Sequence, residues 1–364
     1  MCSSFQLSTV DDRLTAESCL LRQSMWNVVG QKKALSLFQS SLQRGSFAHA
    51  YLFVGRPHVG KMTLARDVAS LLNCESSEPP CGKCPSCLKV VAGKHSDVQE
   101  IGLGKNADGR PLTEISVEDV KQLQHSANLP PFEGKCKVFI IDGAELLSME
   151  AANRLLKTLE EPVARVVFIL LTANEDIIPA TVVSRCQRVE VTPLSAGEIE
   201  TALTQRWGVA TEKARLLSRL SHGSLGWAVS AVNGDLLARR TERLDELVSV
   251  IDGDNEARFD FAAKLASEFG QSREATQDRL DQWLEWWRDL MLAKSGLQEM
   301  VTNVDRIDAL ARMATTYSLE QIRCVIAAIQ DAGEQLKQNA NARLTLEVMM
   351  LALPEAERAS RIMR

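Results

Sequence analysis

Residues Gly55-Arg56-Pro57-His58-Val59-Gly60-Lys61 spell G-x-x-x-x-G-K. Such a loop wraps a phosphate only where a strand feeds directly into a helix, so that backbone N–H groups and the helix amino end face one point. Both neighbours are present. Ala50-Tyr51-Leu52-Phe53-Val54 is a short apolar run suited to a buried strand, and Lys61 to Leu72 is helical in pattern. Further strands are predicted near 98–101, 137–142, 166–171 and 188–191. Helices are predicted over 31–44, 116–128 and 148–159, the second opened by Ser116 and Asp119 as a capping box and the third ended by Glu161-Pro162. Strands alternating with helices imply a parallel sheet covered on both faces. After Pro193 the strand pattern stops. Residues 196–233 read as helical with a turn at 221–224, and from 239 helix follows helix. Leu280, Trp283, Leu284, Trp287, Leu290 and Met291 recur at three- and four-residue spacing, which is the mark of a packing face. The expected divisions are a polar tail over 1–24, an α/β domain over 25–194, a small helical segment over 195–238 and a helical domain over 239–364. Either Met25 is the natural start, or residues 1–24 form a loose tail.

A chain of 364 residues, 45% apolar, has ample material for two or three cores and is not disordered. Its longest apolar stretch, Val166 to Ala173 with Thr172 inside it, is too short to span a bilayer. Asp11, Asp12 and Glu17 interrupt the amino end, which is unlike a secretory signal. A cytoplasmic protein without membrane partners is expected. The net charge of −5 argues against a surface that is basic overall, while leaving room for a local basic stripe.

Nine cysteines, an odd number in such a chain, do not suggest a disulfide framework. Cys81, Cys84 and Cys87 form C-x-x-C-x-x-C, with Cys74 upstream. Four soft ligands at this spacing suit a closed, structural tetrahedral zinc site. Four free thiols or an iron–sulfur cluster are the alternatives, and His95 could replace one thiolate. With Pro79, Pro80, Gly82 and Pro85 in the segment, a knuckle rather than a helix is expected.

The phosphate loop is incomplete. Gly55, Val59, Gly60 and Lys61 supply the backbone cradle and the cation for β and γ phosphates, but the position after the Lys holds Met62 where a hydroxyl would bind Mg2+. A thioether is a poor ligand for that hard cation. Thr63 is one place on, turned by about 100° around the helix. Val138-Phe139-Ile140-Ile141-Asp142 ends in the expected magnesium-side carboxylate, but the next residue is Gly143, where a water-activating Glu would stand; Glu145 is not expected to substitute. ATP or ADP binding is therefore possible, Mg2+ doubtful, and hydrolysis impaired. Ser184-Arg185-Cys186 reads, on spacing alone, either as an arginine in a local ion pair or as an arginine finger.

Together these segments resemble the AAA+ clamp-loader subunits of bacterial DNA polymerase III. The resemblance is carried by Val29-Gly30-Gln31, His49-Ala50-Tyr51-Leu52-Phe53, the phosphate loop, the cysteine knuckle, Asn153 to Pro162 and Ser184-Arg185-Cys186, in family order over about residues 26–230. It implies an AAA+ P-loop sheet with an inserted zinc knuckle, a small helical lid and an all-helical collar domain. Within the family the likeness is to the delta-prime type, a stator with a weakened nucleotide site. Met62, Gly143 and Leu225-Gly226-Trp227, where a motor would carry a nucleotide-sensing Arg, all depart from the gamma or tau motors. The resemblance makes Arg185 a finger acting in trans in a neighbour's ATP site and puts Asn174 at a sensor position. It implies a hetero-pentamer with gamma or tau and delta subunits that places a sliding clamp on primed DNA, this chain being an accessory subunit without polymerase activity of its own. An active gamma- or tau-type motor is the alternative, and a zinc-dependent nucleic-acid-binding module a further one.

Overall fold

The computed structural model describes residues 26–104 and 112–354. Met25 and the expected tail lie outside the described residues. The described residues divide into two compact units, the first running to Ala202 and including His222–Trp227, the second comprising Leu203–Ser221 and the described residues from Ala228 on.

The first unit is a five-stranded parallel sheet. Its strands are β1 (Ala50–Val54), β2 (Val98–Ile101), β3 (Lys137–Asp142), β4 (Val166–Thr172) and β5 (Gln187–Glu190), in the order β2-β3-β4-β1-β5. Alternate residues of a strand point to opposite faces, and both faces here are apolar. Tyr51, Phe53, Val138, Ile140, Val167 and Ile169 pack on one side with α1 (Lys32–Arg44) and α2 (Lys61–Asn73). Leu52, Phe139, Ile141, Phe168 and Leu170 pack on the other with α4 (Val117–Ala127) and α5 (Met149–Glu160). The predicted capping box is present: Ser116 Oγ accepts from Asp119 N while the Asp119 carboxylate accepts from Ser116 N at 2.9 Å.

One expectation is corrected. The cysteine segment is not helix-free, because α3 (Pro85–Val91) begins inside it. Pro85 stands at the first helical position, where its missing N–H costs nothing, and the Cys84 side chain caps the helix by accepting from Cys87 N.

Beyond the sheet come α6 (Ala180–Val183), α7 (Ala196–Trp207), α8 (Thr211–Leu220) and α9 (Leu225–Asn233), and then α10 (Leu236–Asp252), α11 (Asn255–Gln271), α12 (Arg273–Lys294), α13 (Ile307–Thr316), α14 (Leu319–Lys337) and α15 (Ala342–Leu351). The helical core of the second unit is centred on Trp283, Trp286 and Trp287 of α12, all buried; Trp283 and Trp287 are packing residues as their spacing implied, and Trp286 joins them although that spacing does not include it.

Candidate functional site

At the carboxyl end of β1 the chain turns through the phosphate loop into α2. Gly55 is obligatory for a steric reason: a Cβ there would stand 2.2 Å from the backbone oxygen of Val191, which follows β5. Val59 is buried beneath the loop in the core, and Gly60 reaches φ +102 before α2 starts. A cavity of about 370 Å³ opens here, within the range of small-ligand sites. Lys61, Met62, Thr63 and Asp142 line it together with Gly60, His58 and Thr172, so the loop after β1, the start of α2, β3 and β4 all deliver residues to one place.

Lys61 Nζ donates to the carbonyl oxygens of Gly55 at 2.5 Å and Arg56 at 2.8 Å. Burial pulls its ammonium below the ordinary lysine range, and the charges of Glu145 and then Asp142 oppose that pull. The Asp142 carboxyl is pushed upward by burial; Lys61 counters this and Glu145 adds to it. Met62 both lines the cavity and packs against the apolar core under the sheet. Gly143 has φ +78, a left-handed conformation that L side chains rarely adopt, and a Cβ there would lie 2.8 Å from Leu146 Cδ1.

The structure adds two groups to this site. Glu145 lines the cavity, because the left-handed Gly143 turns the chain into a short 3-10 segment (Ala144–Leu146). The second is Gly226. Its N–H donates to His58 O at 2.9 Å, and a Cβ would sit 2.9 Å from that same oxygen, so the residue is pressed against the phosphate loop and a side chain has no room there. Asn174 is not among the cavity-lining residues. Its Oδ1 caps the 3-10 turn Glu175–Ile177 by accepting from Asp176 N at 3.1 Å.

The second cluster is the knuckle. The Sγ atoms of Cys74, Cys81, Cys84 and Cys87 all lie within 4.8 Å of one another, with Cys81 and Cys87 at 4.0 Å, and none is in a disulfide. Tetrahedral zinc with bonds near 2.3 Å sets its sulfurs about 3.8 Å apart. The donor set thus fits a structural zinc ion with little adjustment. Backbone N–H groups already point at sulfur: Cys84 N donates to Cys81 Sγ at 3.3 Å, and Cys87 N to Cys84 Sγ at 3.4 Å. The N–H groups of Lys83 and Cys84 hold the Cys81 thiol down to about 6, whereas burial pushes Cys74 and Cys87 up.

His95 stands apart from the thiol cluster. It is buried, meets Ser86 Oγ through Nε2 at 3.2 Å and accepts from Asp97 N through Nδ1 at 3.1 Å. Asp97, 1% exposed, accepts the N–H groups of Phe132, Glu133 and Gly134 at 2.7–2.8 Å. Lys135 Nζ donates to Cys74 O, and Asn73 Oδ1 takes the N–H groups of Lys135 and Cys136. The loop before β3 is thereby tied to the knuckle.

Arg185 lies just past α6, away from the cavity lining. Its guanidinium pairs with Glu160 Oε1 at 2.7 Å and donates to Thr181 O at 2.9 Å.

The chain is similar in sequence to known proteins. Residues 30–195 match a family described as DNA polymerase III, delta subunit, and residues 235–355 match its C-terminal family. The chain is 36% identical over 215 residues to the DNA polymerase III subunit tau of Salmonella typhimurium, covering 57% of this chain and 32% of that protein. It is 26% identical over 326 residues to the DNA polymerase III subunit delta' of Bacillus subtilis, covering 89% of this chain and 96% of that protein. It spans about a third to just over half the length of the first curated relatives it matches. A solved DNA polymerase III gamma subunit-related protein from Thermotoga maritima aligns with a TM-score of 0.43 and 18% identity, over 89% of this chain and 99% of that one. Among the described residues, no helix is long and apolar enough to cross a membrane.

Proposed function

The chain belongs to the DNA polymerase III clamp-loader family, and from that premise we propose that it is a delta-prime-type stator of a clamp loader. On this reading it supplies Arg185 in trans to the ATP site of a neighbouring gamma- or tau-type subunit, in a cytoplasmic hetero-pentamer that also holds a delta subunit. The assembly opens a sliding clamp and places it on primed DNA. The observation that carries the reading is the pairing, in one chain, of a nucleotide site lacking its hydroxyl and its catalytic Glu with a half-buried arginine outside its own pocket.

The chemistry divides accordingly. The neighbour holds ATP and the attacking water, while Arg185 adds positive charge where the transferring phosphate develops negative charge. In this chain's own pocket, Gly55, Val59, Gly60 and Lys61 would cradle the phosphates of ATP or ADP, with Met62 and Thr63 at the start of the helix and Asp142 opposite. Mg2+ is poorly provided for. Asn174 has only the shape of a sensor, since its side chain is engaged in capping. Zinc held by Cys74, Cys81, Cys84 and Cys87 would stiffen the knuckle and perform no chemistry. Residues 195–238 are read as the lid and 239–364 as the collar domain. An association face there is supported by Leu344, Val348 and Leu351, which are exposed at four- and three-residue spacing on α15.

The test is clamp- and DNA-stimulated ATP turnover of the reconstituted loader. Arg185→Ala should lower it by about 10³-fold or more, while the isolated chain stays silent. Robust turnover by the isolated chain, with the mutant assembly unaffected, would replace the stator with the motor.

A further inference from the structure

The one charged group in the pocket that the proposed function leaves unused is Glu145. Its Oε1 accepts the N–H of Ala173 at 3.0 Å, which fixes the carboxylate across the ends of β3 and β4. Its Oε2 is buried and has no hydrogen-bond partner among the described residues. Glu145 thus lines the same cavity as Lys61, held by the backbone through one oxygen and with the other closed off from solvent. Of the two carboxylates there, Glu145 acts more strongly on the Lys61 ammonium than Asp142 does.

Lys61 is the side chain that meets the β and γ phosphates in loops of this kind. An anion held next to it opposes each phosphate charge brought in, and a terminal phosphate brings the most. A metal ion could relieve that repulsion, but the position after Lys61 is Met62, which has no oxygen to hold one. Glu145 is also pinned by the backbone of β4 and is not free to swing away at no cost.

We propose that Glu145 is a specificity-determining residue that makes this pocket a nucleoside diphosphate site and rejects the triphosphate. A diphosphate fits with Lys61 as its counter-charge and ends short of Glu145. A triphosphate must set its terminal group against a fixed carboxylate. The chain would then hold a spent nucleotide as a structural ligand through rounds of turnover elsewhere in its assembly. This deepens the proposed function and rests on its reading of the pocket as a nucleotide site.

The experiment is calorimetric titration of the full chain with ADP and with ATP, each in Mg2+ and in EDTA, for wild type, Glu145→Gln and Glu145→Ala. Wild type should bind ADP at least tenfold more tightly than ATP in both buffers. Both variants should bring the two nucleotides within about threefold of each other, by gaining ATP affinity while ADP affinity moves less than about twofold. Equal affinities in wild type overturn the proposal and leave the nucleotide site standing. A wild-type preference for ATP that needs Mg2+ and disappears in Glu145→Gln also overturns it, since Glu145 would then be a cation ligand. Binding of neither nucleotide to wild type overturns the nucleotide-site reading itself. Should either variant unfold, which a thermal melt reports, the wild-type ratio still decides.

Discussion

The knuckle and the phosphate pocket sit in one unit, yet they differ in how much of their machinery is present. The knuckle has all four sulfurs within metal-binding range, N–H donors aimed at them and a tied loop behind them. The pocket has its glycines, its Lys61 and its Asp142, but a thioether and a glycine where a hydroxyl and a carboxylate would stand. The difference teaches which kind of site tolerates loss. A four-ligand metal site forfeits its closed shell with any one ligand. A phosphate cradle is made largely of backbone N–H groups, so it survives side-chain changes that end catalysis.

The comparison breaks most visibly if the knuckle is not a metal site. Purified chain should carry one zinc per molecule, and chelation or Cys87→Ser should cost about 4 kcal/mol or more of stability, read by denaturant unfolding with metal analysis. Metal-free protein of undiminished stability would reduce the knuckle to four thiols. Gly55→Ala comes next. Driving a Cβ into the Val191 carbonyl should cost about 2–3 kcal/mol and abolish nucleotide binding, which a melt and a titration would measure.

Asp97→Asn should cost about 2 kcal/mol, because three backbone N–H groups lose a charged acceptor. Burial alone would raise the Asp97 carboxyl, but the N–H groups of Phe132, Gly134 and Glu133 more than offset it and hold it below the ordinary range. A depressed folded value means the contribution is complete above about pH 4 and fades only as the pH falls through the folded value. The gap between wild type and variant should therefore be flat from pH 5 to 8, and amide exchange at 132–134 should quicken in the variant. A gap that closes within that range would show that the carboxylate is not what holds the loop. The smallest effect belongs to Met62→Thr. Restoring the hydroxyl should leave ATP turnover of the isolated chain at background, because Gly143 still provides no base. Adding Gly143→Glu should cost about 1–2 kcal/mol from the left-handed backbone and still not yield motor-like turnover. Turnover appearing in either variant would mean that the pocket is closer to a motor than its side chains indicate.

Much of this was legible in the sequence. β1, β3 and β4 lie where short apolar runs end in Gly, Asp or a polar break, and β1, β2 and β3 match their predicted limits residue for residue. Gly60, Lys61, Met62, Thr63 and Asp142 line one cavity, which Gly55 and Val59 do not line, and the four cysteines form a separate cluster. What escaped depended on backbone conformation. Pro85 read as a breaker because sequence alone does not say whether a proline stands before, inside or at the start of a helix. Glu145 enters the sequence reading only as a replacement base, and its place on the cavity wall is not foreseen there, since a left-handed Gly143 and a 3-10 turn are invisible in a residue list. Asn174 stands at the sensor position the resemblance implies, but its side-chain oxygen caps a turn, which no residue list shows.

Arg185 spends its time on Glu160 in a contact open to solvent on both sides. Exposed pairs of this sort are worth at most about 1 kcal/mol, so the pair is open roughly a sixth of the time or more. Exposed side chains exchange rotamers in picoseconds to nanoseconds. An arginine parked this loosely is released far faster than any subunit can dock. If Arg185 acts in trans as proposed, its capture by an acceptor on another chain would be timed by the encounter and not by the letting go.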